Sequence, residues 1–282
     1  MIVTRTTTIR PMRPEDVEPA AELLRRGEFG ERLPFFDWAL TQPTITPYVA
    51  VAGDRIVGTG VASAHGITGW VGVIFVAADV RGGGLGRRIT RTVIDELEAR
   101  GCRSQILIAS PLGRPIYERD GFLPLGQQIR FTIDGMPPDG GPDAGIRPFE
   151  AGDLEDLLAL DRYATGEDRE AVLRSIVSPA TTFVALDPAN IVRAYLARAP
   201  WRGGALIALE PDDALALLEI RRHSTGISGM AGAGVLASNR VGRERLRAAG
   251  WLEERGGVRM IRGEPLDWHP DAIWGQLNGA LG

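Results

Sequence analysis

The spacing of apolar residues changes around residue 80 from an unbroken run to a helical repeat. Residues 70–76 form an apolar run with the length of a buried strand. Residues 87–100 instead carry apolar side chains at the spacing of one helix face, at Ile89, Val93 and Leu97. Residues 81–86 between them read Arg-Gly-Gly-Gly-Leu-Gly, and Gly101 is a natural helix stop. The pattern predicts a strand, a glycine-rich turn and a helix in direct succession.

The rest of the first half alternates between short strands and helices. Pro14 opens a predicted helix whose apolar stripe consists of Val17, Ala20, Ala21 and Leu24. Strands are predicted at residues 8–10, 48–52, 56–64 and 104–110. This mixture of strands and helices indicates the α/β class.

The second half of the chain repeats the pattern of the first. Residues 134–145 are nearly all turn formers and predict a linker. Beyond it, segments of the first half return in the same order: 9–11 as 146–148, 15–18 as 152–155, 48–51 as 183–186, 55–57 as 190–192, 113–114 as 242–243 and 120–122 as 249–251. Ordered echoes are typical of a duplicated fold. We therefore predict one domain over residues 1–133, the linker 134–145 and a second domain over residues 146–282.

Length and composition limit the class of protein. The 282 residues exceed the size at which one hydrophobic core usually stops growing. A net charge of −4 argues against a nucleic-acid partner. The single cysteine, Cys102, excludes a disulfide framework and a cysteine-rich metal site. No apolar run has the length of a membrane span, and the N-terminus lacks the apolar core of a signal peptide. We expect a cytoplasmic monomer or homodimer with no metal, no nucleic acid and no membrane partner.

The glycine-rich turn suits a phosphate group. A strand-to-helix turn exposes backbone N–H groups at the positive end of a helix dipole, and glycines let a phosphate approach them. No Gly-Lys-Ser/Thr of a Walker A loop is present, and Ile89 stands where a dinucleotide fingerprint needs glycine. The turn therefore predicts either a phosphate site of another kind or a glycine-rich turn without a ligand.

The turn resembles the acyl-coenzyme A loop of the GCN5-related N-acetyltransferases, the GNAT family. The family pattern Arg-x-x-Gly-x-Gly is met by Arg81, Gly84 and Gly86. The preceding residues 76–80 resemble the family's lead-in, except that Ala78 stands where proline is common.

A second motif follows in the order that the family has. Residues 110–122 resemble its signature Asn-x-x-Ala-x-x-Leu-Tyr-x-x-x-Gly-Phe, which Tyr117, Gly121 and Phe122 match outright. The Asn, Ala and Leu positions are taken by Ser110, Gly113 and Ile116. Two motifs in the right order are much more specific than one, and the resemblance covers roughly residues 8–133.

The resemblance implies an acetyl-CoA co-substrate and, in each of two tandem GNAT-like domains, a mixed, mostly antiparallel sheet flanked by helices. The pantetheine arm is expected to bond to backbone groups of the strand before the turn. The implied cofactor-binding residues are Phe75, Val76, Arg81, Gly82, Gly83, Gly84, Leu85, Gly86, Arg87 and Ser110. By the same resemblance Tyr117 is the general acid that protonates or stabilises the leaving thiolate, with a packing tyrosine as the alternative.

The general base and the acceptor site have weaker signals. Residues 70–76 contain no acid, so His65 is the nearest titratable group, with an exposed turn histidine as the alternative. Glu28, Glu31 and Asp37 are further candidates for the base or for binding a cationic acceptor. The residues predicted to bind the acceptor are Glu28, Glu31, Phe36 and Trp38, although about half of the aromatic residues in this stretch are expected in the core.

The second domain has lost both motifs. Residues 205–209 lead into a helix that starts with Glu210-Pro211-Asp212-Asp213, and these acids would repel a pyrophosphate. Leu246 stands at the position of Tyr117. Residues 229–234 are glycine-rich but precede a predicted strand, so we interpret them as a loop. The closing segment, from residue 259 onward, resembles that of bacterial tandem members of the family with a degenerate second half.

The sequence therefore predicts a tandem acetyltransferase with an active first domain and a structural second domain. The expected reaction transfers an acetyl group from acetyl-CoA to an amine of a small-molecule acceptor. Two alternatives stay open, a non-catalytic acyl-CoA-binding sensor and a protein N-terminal or lysine acetyltransferase. The phenol of Tyr117 and the intact glycine loop favour the enzyme over the sensor.

Overall fold

The computed structural model describes residues 7–136, 145–201 and 203–282. The chain forms two compact units: unit 1 is Met1–Leu107 with Gly279–Leu281, and unit 2 is Ile108–Asn278 with Gly282. The centre of the predicted linker, residues 137–144, lies outside the described residues. The predicted domain boundaries at 133 and 146 are drawn from the sequence repeat, whereas the two units are defined by their internal contacts. The predicted boundaries therefore stay a prediction.

Unit 1 contains a mixed sheet with helices on both faces. Its strands pair in the order β1-β2-β3-β4-β5, and neighbours are antiparallel except β4 and β5, which are parallel. The elements are β1 (Thr7–Pro11), α1 (Val17–Arg26), α2 (Leu33–Ala39), β2 (Ile45–Ala52), β3 (Arg55–His65), β4 (Thr68–Val76), α3 (Leu85–Ala99) and β5 (Ser104–Ala109), which carries the chain into unit 2. The predicted α/β class and mixed sheet are confirmed.

The helices of unit 1 form where the apolar spacing predicts them. In α3 the buried face includes Ile89, Val93 and Leu97, all of them 0% exposed. Helix α1 buries all four residues of its predicted stripe: Val17, Ala20, Ala21 and Leu24. Burial of these apolar faces on the sheet is the main stabilising contribution to such short helices.

In unit 2, three strands pair antiparallel in the order β12-β6-β11, and a five-stranded antiparallel sheet has the order β13-β10-β9-β8-β7. Its elements are α4 (Arg114–Arg119), β6 (Leu123–Asp134), β7 (Ile146–Pro148), α5 (Leu154–Thr165), α6 (Glu170–Ile176), β8 (Thr182–Leu186), β9 (Val192–Arg198), β10 (Gly204–Ala208), α7 (Pro211–Thr225), β11 (Met230–Leu236), α8 (Arg240–Ala248), β12 (Leu252–Gly263) and β13 (Ile273–Gly275). Phe131, Leu217 and Leu246, all 0% exposed, lie in one core cluster of this unit.

The order of elements supports the predicted duplication. The succession β, 3₁₀ turn, α, α, β, β, β, α, β, α, β runs from β1 to β6 and again from β7 to β12. In the first run a further 3₁₀ turn precedes α3. Because both halves of the chain build the same succession, the sequence echoes have a structural counterpart.

A pair of ion bridges repeats at the same place in each succession. Arg10 contacts both carboxylate oxygens of Asp16, at 2.5 and 2.9 Å, and Arg147 contacts both oxygens of Asp153, at 2.8 and 2.7 Å. Each aspartate also accepts a backbone N–H three residues before it, from Arg13 at 2.8 Å and Glu150 at 2.7 Å. The bridges hold the first strand of each copy against the 3₁₀ turn that follows.

The prediction of a loop at residues 229–234 is wrong. Strand β11 begins at Met230 and pairs with β6 continuously, from Met230 opposite Asp134 to Leu236 opposite Gln128. Glycine and alanine have low strand propensity, but pairing with a neighbouring strand overrides such local preferences. The segment is a strand in which small residues replace large ones.

Candidate active site

The glycine-rich turn before α3 is an open set of backbone donors. Gly82, Gly83 and Gly84 are exposed, and an added Cβ at any of them would meet no atom within 4 Å. Gly84 caps the helix in a left-handed conformation (φ 75°), which only glycine adopts easily. The N–H groups of these glycines make no hydrogen bond to other described residues, and the first N–H groups of an α-helix, here at Leu85 and Gly86, have no partner within the helix. The turn can therefore bind a phosphate oxygen through several N–H groups.

A cationic cavity of about 510 Å³ opens beside this turn in unit 1. Its charged lining residues lie on one exposed face of α3 and are Arg87, Arg88, Arg91 and Asp95. Arg88 also donates to the carbonyl oxygen of Thr7 at 2.8 Å. Three positive charges against one negative charge favour a polyanion next to the positive end of the helix. Arg87 is among the cofactor-binding residues expected from the sequence, whereas Arg88 and Arg91 are not, although their helical spacing after the turn could have indicated them.

The side chain of Arg81 is bound to the strand that feeds the turn. Its Nε donates to the carbonyl oxygen of Val76 at 2.9 Å, and its guanidinium lies 5.6 Å from the centre of the Phe75 ring. The Phe75 ring is 7% exposed and lies 5.6 Å from the ring of Phe29. The Val76 carbonyl, which the sequence assigns to the pantetheine arm, is thus already accepting a hydrogen bond from Arg81.

Strand β4 is paired with β5 over only part of its length. The two strands pair at Thr68, Gly69 and Trp70, opposite Ser104, Gln105 and Ile106. Within unit 1 the remaining residues of β4 have backbone partners on the β3 side only. This opening leaves backbone groups of β4 available to an extended ligand, as addition of a strand would require.

A bulge in β4 lies at this opening. Val61 and Thr59 of β3 pair with Gly72 and Phe75, so two residues of β4 face one residue of β3. Val73, within the bulge, has φ 49°, and its carbonyl accepts the hydroxyl of Thr59 at 2.8 Å. A β-branched residue with positive φ is strained, and such strain is concentrated at functional sites.

The last described residues of the chain pack on β4 within unit 1. An added Cβ on Gly72 would lie 2.3 Å from the Cβ of Ala280, 2.4 Å from its Cα and 2.9 Å from the Gly279 carbonyl oxygen. Ala280 and Leu281 are both 0% exposed. Gly69 meets Leu97 of α3, so strand alternation turns Gly72 away from α3. The segment Gly279–Leu281 therefore covers the face of β4 opposite α3.

A second cavity in unit 1, of about 720 Å³, is lined by residues of α1 and of the chain around Phe75 and Arg81. Its acids are mostly engaged with arginines: Glu22 with Arg26 at 2.6 Å and Asp79 with Arg55 at 2.6 Å. The cavity has the size of a small-molecule site.

The residues predicted to bind the acceptor differ in their exposure and in their hydrogen bonds. Phe36 is 0% exposed and belongs to the core, which is a correction to its predicted place in the acceptor site. Glu31 accepts the N–H groups of Arg32 and Leu33, both at 2.8 Å, and these bonds together with Arg25 lower the pKa of its carboxyl. Its carboxylate is thus engaged at the start of α2.

Two other acceptor candidates keep some exposure. Glu28 is exposed and has φ 56°, and Trp38 is half-buried with its ring 6.1 Å from Phe35. Their roles stay predictions.

His65 is buried at the end of β3 and lies opposite Thr68, the first residue of β4. The glycine turn follows the other end of β4, about 26 Å away at the usual rise per strand residue. The structure therefore does not bring His65 to the glycine turn. It is also not the exposed turn histidine that the sequence offered as the alternative, because it is 2% exposed. Its role as base stays a prediction.

The second motif lies in unit 2. Ser110 is exposed, and its Oγ accepts the N–H of Gly113 at 3.1 Å. Tyr117 on α4 is 9% exposed, packs edge-on against Phe122 with ring centres 5.9 Å apart, and accepts the Phe122 N–H on its carbonyl at 3.0 Å. Among the described residues its hydroxyl has no hydrogen-bond partner. Burial raises the pKa of Tyr117 to about 12, so the phenol keeps its proton at ordinary pH.

The second half of the chain has a similar turn without the phenol. Trp251 donates its N–H to the Leu246 carbonyl at 3.0 Å, as Phe122 does to Tyr117, and Gly250 has φ 84° where Gly121 has φ 88°. Leu246 is 0% exposed. The two turns thus share a backbone geometry and differ in the group that could transfer a proton.

Two other kinds of site are not found in the described parts of the chain. No group of three or more His, Cys, Asp or Glu residues in residues 7–136, 145–201 and 203–282 could hold a metal ion. No helix in these ranges combines the length and the apolar character needed to cross a membrane.

Residues 11–122 match the model of the acetyltransferase (GNAT) family. The uncharacterized N-acetyltransferase YitH of Bacillus subtilis is 30% identical over 132 residues, which cover 46% of this chain and 46% of that protein. The chain therefore spans about half the length of this curated relative.

Solved structures with similar folds extend over almost the whole chain. A candidate acetyltransferase from Pyrococcus horikoshii has a TM-score of 0.83 at 20% identity, over 100% of this chain and 98% of that one. A GCN5-related N-acetyltransferase from Sphaerobacter thermophilus has a TM-score of 0.65 at 19% identity, over 95% and 100%. At these identities the likeness concerns the fold.

Proposed function

We propose that the protein transfers an acetyl group from acetyl-CoA to an amine of a small molecule, because residues 11–122 match the model of the GNAT family of acetyltransferases. The observation that carries the proposal is the open turn before α3, where the N–H groups of Gly82, Gly83 and Gly84 have no partner among the described residues. The pyrophosphate of coenzyme A is a ligand that such a row of donors suits.

The surroundings of the turn support the same ligand. Coenzyme A carries phosphates at two places, and the arginine-lined cavity along α3 offers Arg87, Arg88 and Arg91 beside the glycines. The pantetheine arm would then extend along the part of β4 that lacks a β5 partner. If it uses the Val76 carbonyl, it either shares that oxygen with the Arg81 side chain or displaces that side chain, since a carbonyl oxygen can accept two hydrogen bonds.

Tyr117 has the properties of a general acid. The amine nitrogen attacks the thioester carbon, and the tetrahedral intermediate then breaks its carbon–sulfur bond. The leaving thiolate needs a proton or a hydrogen bond, and the protonated Tyr117 hydroxyl, free of partners among the described residues, can supply it. The amine loses its own proton to a base, for which His65 stays the candidate.

Two features of unit 1 favour a small acceptor over a protein tail. The cavity of about 720 Å³ beside Phe75 and Arg81 has the size of a small-molecule site. The segment Gly279–Leu281 covers β4 at Gly72 and so leaves less room for a large acceptor over that strand.

The remaining parts of the proposal concern partners and location. The net charge of −4 provides no general electrostatic attraction for a nucleic acid. The proposal includes a cytoplasmic location and a monomer or homodimer.

The proposal is tested by thiol release from acetyl-CoA with a panel of small amines and of peptides that carry free N-termini or lysines. We expect turnover with small amines, and Gly83→Ala should weaken acetyl-CoA binding at least about tenfold because its methyl group stands among the phosphate donors. Gly152→Ala is the matched control, since neither glycine has a positive φ and neither added Cβ meets an atom within 4 Å.

Two outcomes would overturn the proposal. Tight acetyl-CoA binding without turnover of any amine would favour the acyl-CoA sensor. Turnover of peptides alone would favour a protein acetyltransferase.

A further inference from the structure

A cavity of about 440 Å³ in unit 2 is not part of the proposed reaction. It lies between the connection from β9 to β10 and the connection from α7 to β11. Its polar lining residues include Arg198, Arg221, Ser224, Thr225 and Ser228. The wall at residues 229–232 carries two glycines beside Met230 and Ala231.

Arg221 is a buried cation on this cavity. It is 8% exposed, and its two terminal nitrogens donate to the carbonyl oxygens of Gly232 at 2.9 Å and Gly204 at 2.8 Å. Its Nε is buried and has no hydrogen-bond partner among the described residues. The two carbonyls fix the guanidinium but leave its charge uncompensated.

The other buried arginines of unit 2 show what is missing. Arg169 is paired with Asp161, and Arg259 with Glu167 at 3.0 Å. Among the described residues Arg221 has no such carboxylate, and its charged neighbour is Arg198. Burial, and then the charge of Arg198, lower the pKa of Arg221 to about 10. A buried charge without a counter-charge is costly to keep.

Two hydroxyl groups at the end of α7 donate to one of its last carbonyls. Helix carbonyls at a C-terminus carry partial negative charge. Here the hydroxyls of Ser224 and Thr225 both donate to the carbonyl of Arg221, at 2.7 and 2.8 Å. That carbonyl is therefore already hydrogen-bonded, and the charged residues that line the cavity are the two arginines Arg198 and Arg221.

We propose that this cavity binds a small molecule through a phosphate or carboxylate group, with Arg221 and Arg198 as its charged partners. Arginine binds either group through paired, charge-assisted hydrogen bonds. The bound anion supplies the counter-charge that Arg221 lacks in the protein. The site is separate from the glycine turn, so unit 2 has a ligand of its own even though it lacks the acyl-CoA loop.

The test is calorimetry on the full chain carrying Gly84→Asp, which adds a side chain and a negative charge at the glycine turn and so removes that phosphate site. The probes are sodium phosphate, sodium pyrophosphate and sodium citrate, against sodium chloride at equal ionic strength. We expect at least one probe to bind, and because the arginines of α3 remain in this background, the variants described next identify the binding that belongs to this cavity. The phosphate and citrate arms distinguish a phosphate ligand from a carboxylate ligand.

The charge partners are tested in the same background. Arg198→Met should weaken binding at least about tenfold through loss of charge-assisted hydrogen bonds, while Arg240→Met, an exposed arginine outside the cavity, should change little. Ser228→Glu places a carboxylate on the cavity wall and should weaken binding similarly. Arg221→Met also breaks two backbone contacts, so the first two variants decide. No binding of any probe, or equal binding in Arg198→Met and Arg240→Met, would overturn the proposal.

Discussion

The guanidinium of Arg81 holds the carbonyl oxygen of Val76 through a 2.9 Å hydrogen bond from Nε. This bond links the first residue of the family's loop motif to the last residue of β4. The same side chain stands over the Phe75 ring. Arg81 therefore lies where it would contact both a phosphate bound at the turn and a ligand that extends along the strand.

Replacing Arg81 by Met should weaken acetyl-CoA binding about tenfold, because one charge and its hydrogen bonds to phosphate are lost. Arg174→Met is the control, since that arginine pairs with Glu155 and Glu170 in unit 2, away from the glycine turn in the sequence. Calorimetry with acetyl-CoA measures both. Equal affinity in the two variants would contradict the assignment of Arg81.

Tyr117→Phe should leave acetyl-CoA binding nearly unchanged and lower kcat at least about tenfold, because only the hydroxyl is removed. Tyr163→Phe, at a half-exposed tyrosine stacked on His269, is the control. Pre-steady-state kinetics must establish that chemistry limits the rate. Unchanged turnover would mean that Tyr117 is a packing residue.

The pH profile of kcat gives a second test of Tyr117. Its pKa is raised to about 12, so the protonated form persists where an ordinary tyrosine, with a pKa of about 10, would lose its proton. We expect no loss of kcat between about pH 8 and 10.5 from this group. An ionisation near pH 10 that disappears in Tyr117→Phe would contradict the effect of burial.

The strand–turn–helix at the cofactor loop was predictable because each part has a local cause. Apolar run length predicts β4, helical spacing predicts α3, and a left-handed cap such as Gly84 requires glycine. The same holds for the second motif, where Gly121 and Phe122 mark the turn after Tyr117. Local sequence therefore predicts both turns.

Features that depend on register or on distant contacts were not predictable. Nothing local indicates a bulge at Val73, since a β-branched residue disfavours positive φ, and the bulge arises from pairing with β3. The contact of Gly72 with Ala280 joins the middle of one half to the end of the other. Apolar character alone also could not separate the core residue Phe36 from the half-buried Trp38.

The repeated ion bridges predict an acid-dependent stability. Arg10 holds the pKa of Asp16 below its usual range, and Arg147 does the same for Asp153. Their stabilisation is complete above the pKa of an unfolded aspartate, about 3.9, and is lost as pH falls through the lower folded-state pKa. Asp16→Asn and Asp153→Asn should each lower the free energy of unfolding by about 2 kcal/mol at pH 7.

This difference should shrink towards zero in acid, where the parent aspartates are protonated as well. Urea unfolding at pH 7 and in steps below pH 4 measures it, with separate transitions fitted for the two units if they occur. A difference that is independent of pH would mean that packing, and not charge, explains the loss.

Gly72→Ala should destabilise unit 1 more than Gly69→Ala on the same strand. The added methyl at Gly72 meets the backbone of Gly279 and Ala280, whereas at Gly69 it meets the flexible side chain of Leu97. Overpacking against backbone is expected to cost about 1–3 kcal/mol. Thermal unfolding compares the two variants. Equal stability of the two variants would show that the segment Gly279–Leu281 can move away from the added methyl group at little cost in free energy.

Gly279–Leu281 belong to unit 1 although they follow all the helices and strands of unit 2 in the chain. A ribosome makes the chain from its N-terminal end, so the cover over Gly72 is absent until the second half has been synthesised. A nascent chain halted within unit 2 would have the glycine turn but an unfinished face of β4. A chain that ended before residue 279 would therefore leave this face of β4 uncovered, whatever the rest of unit 1 had formed.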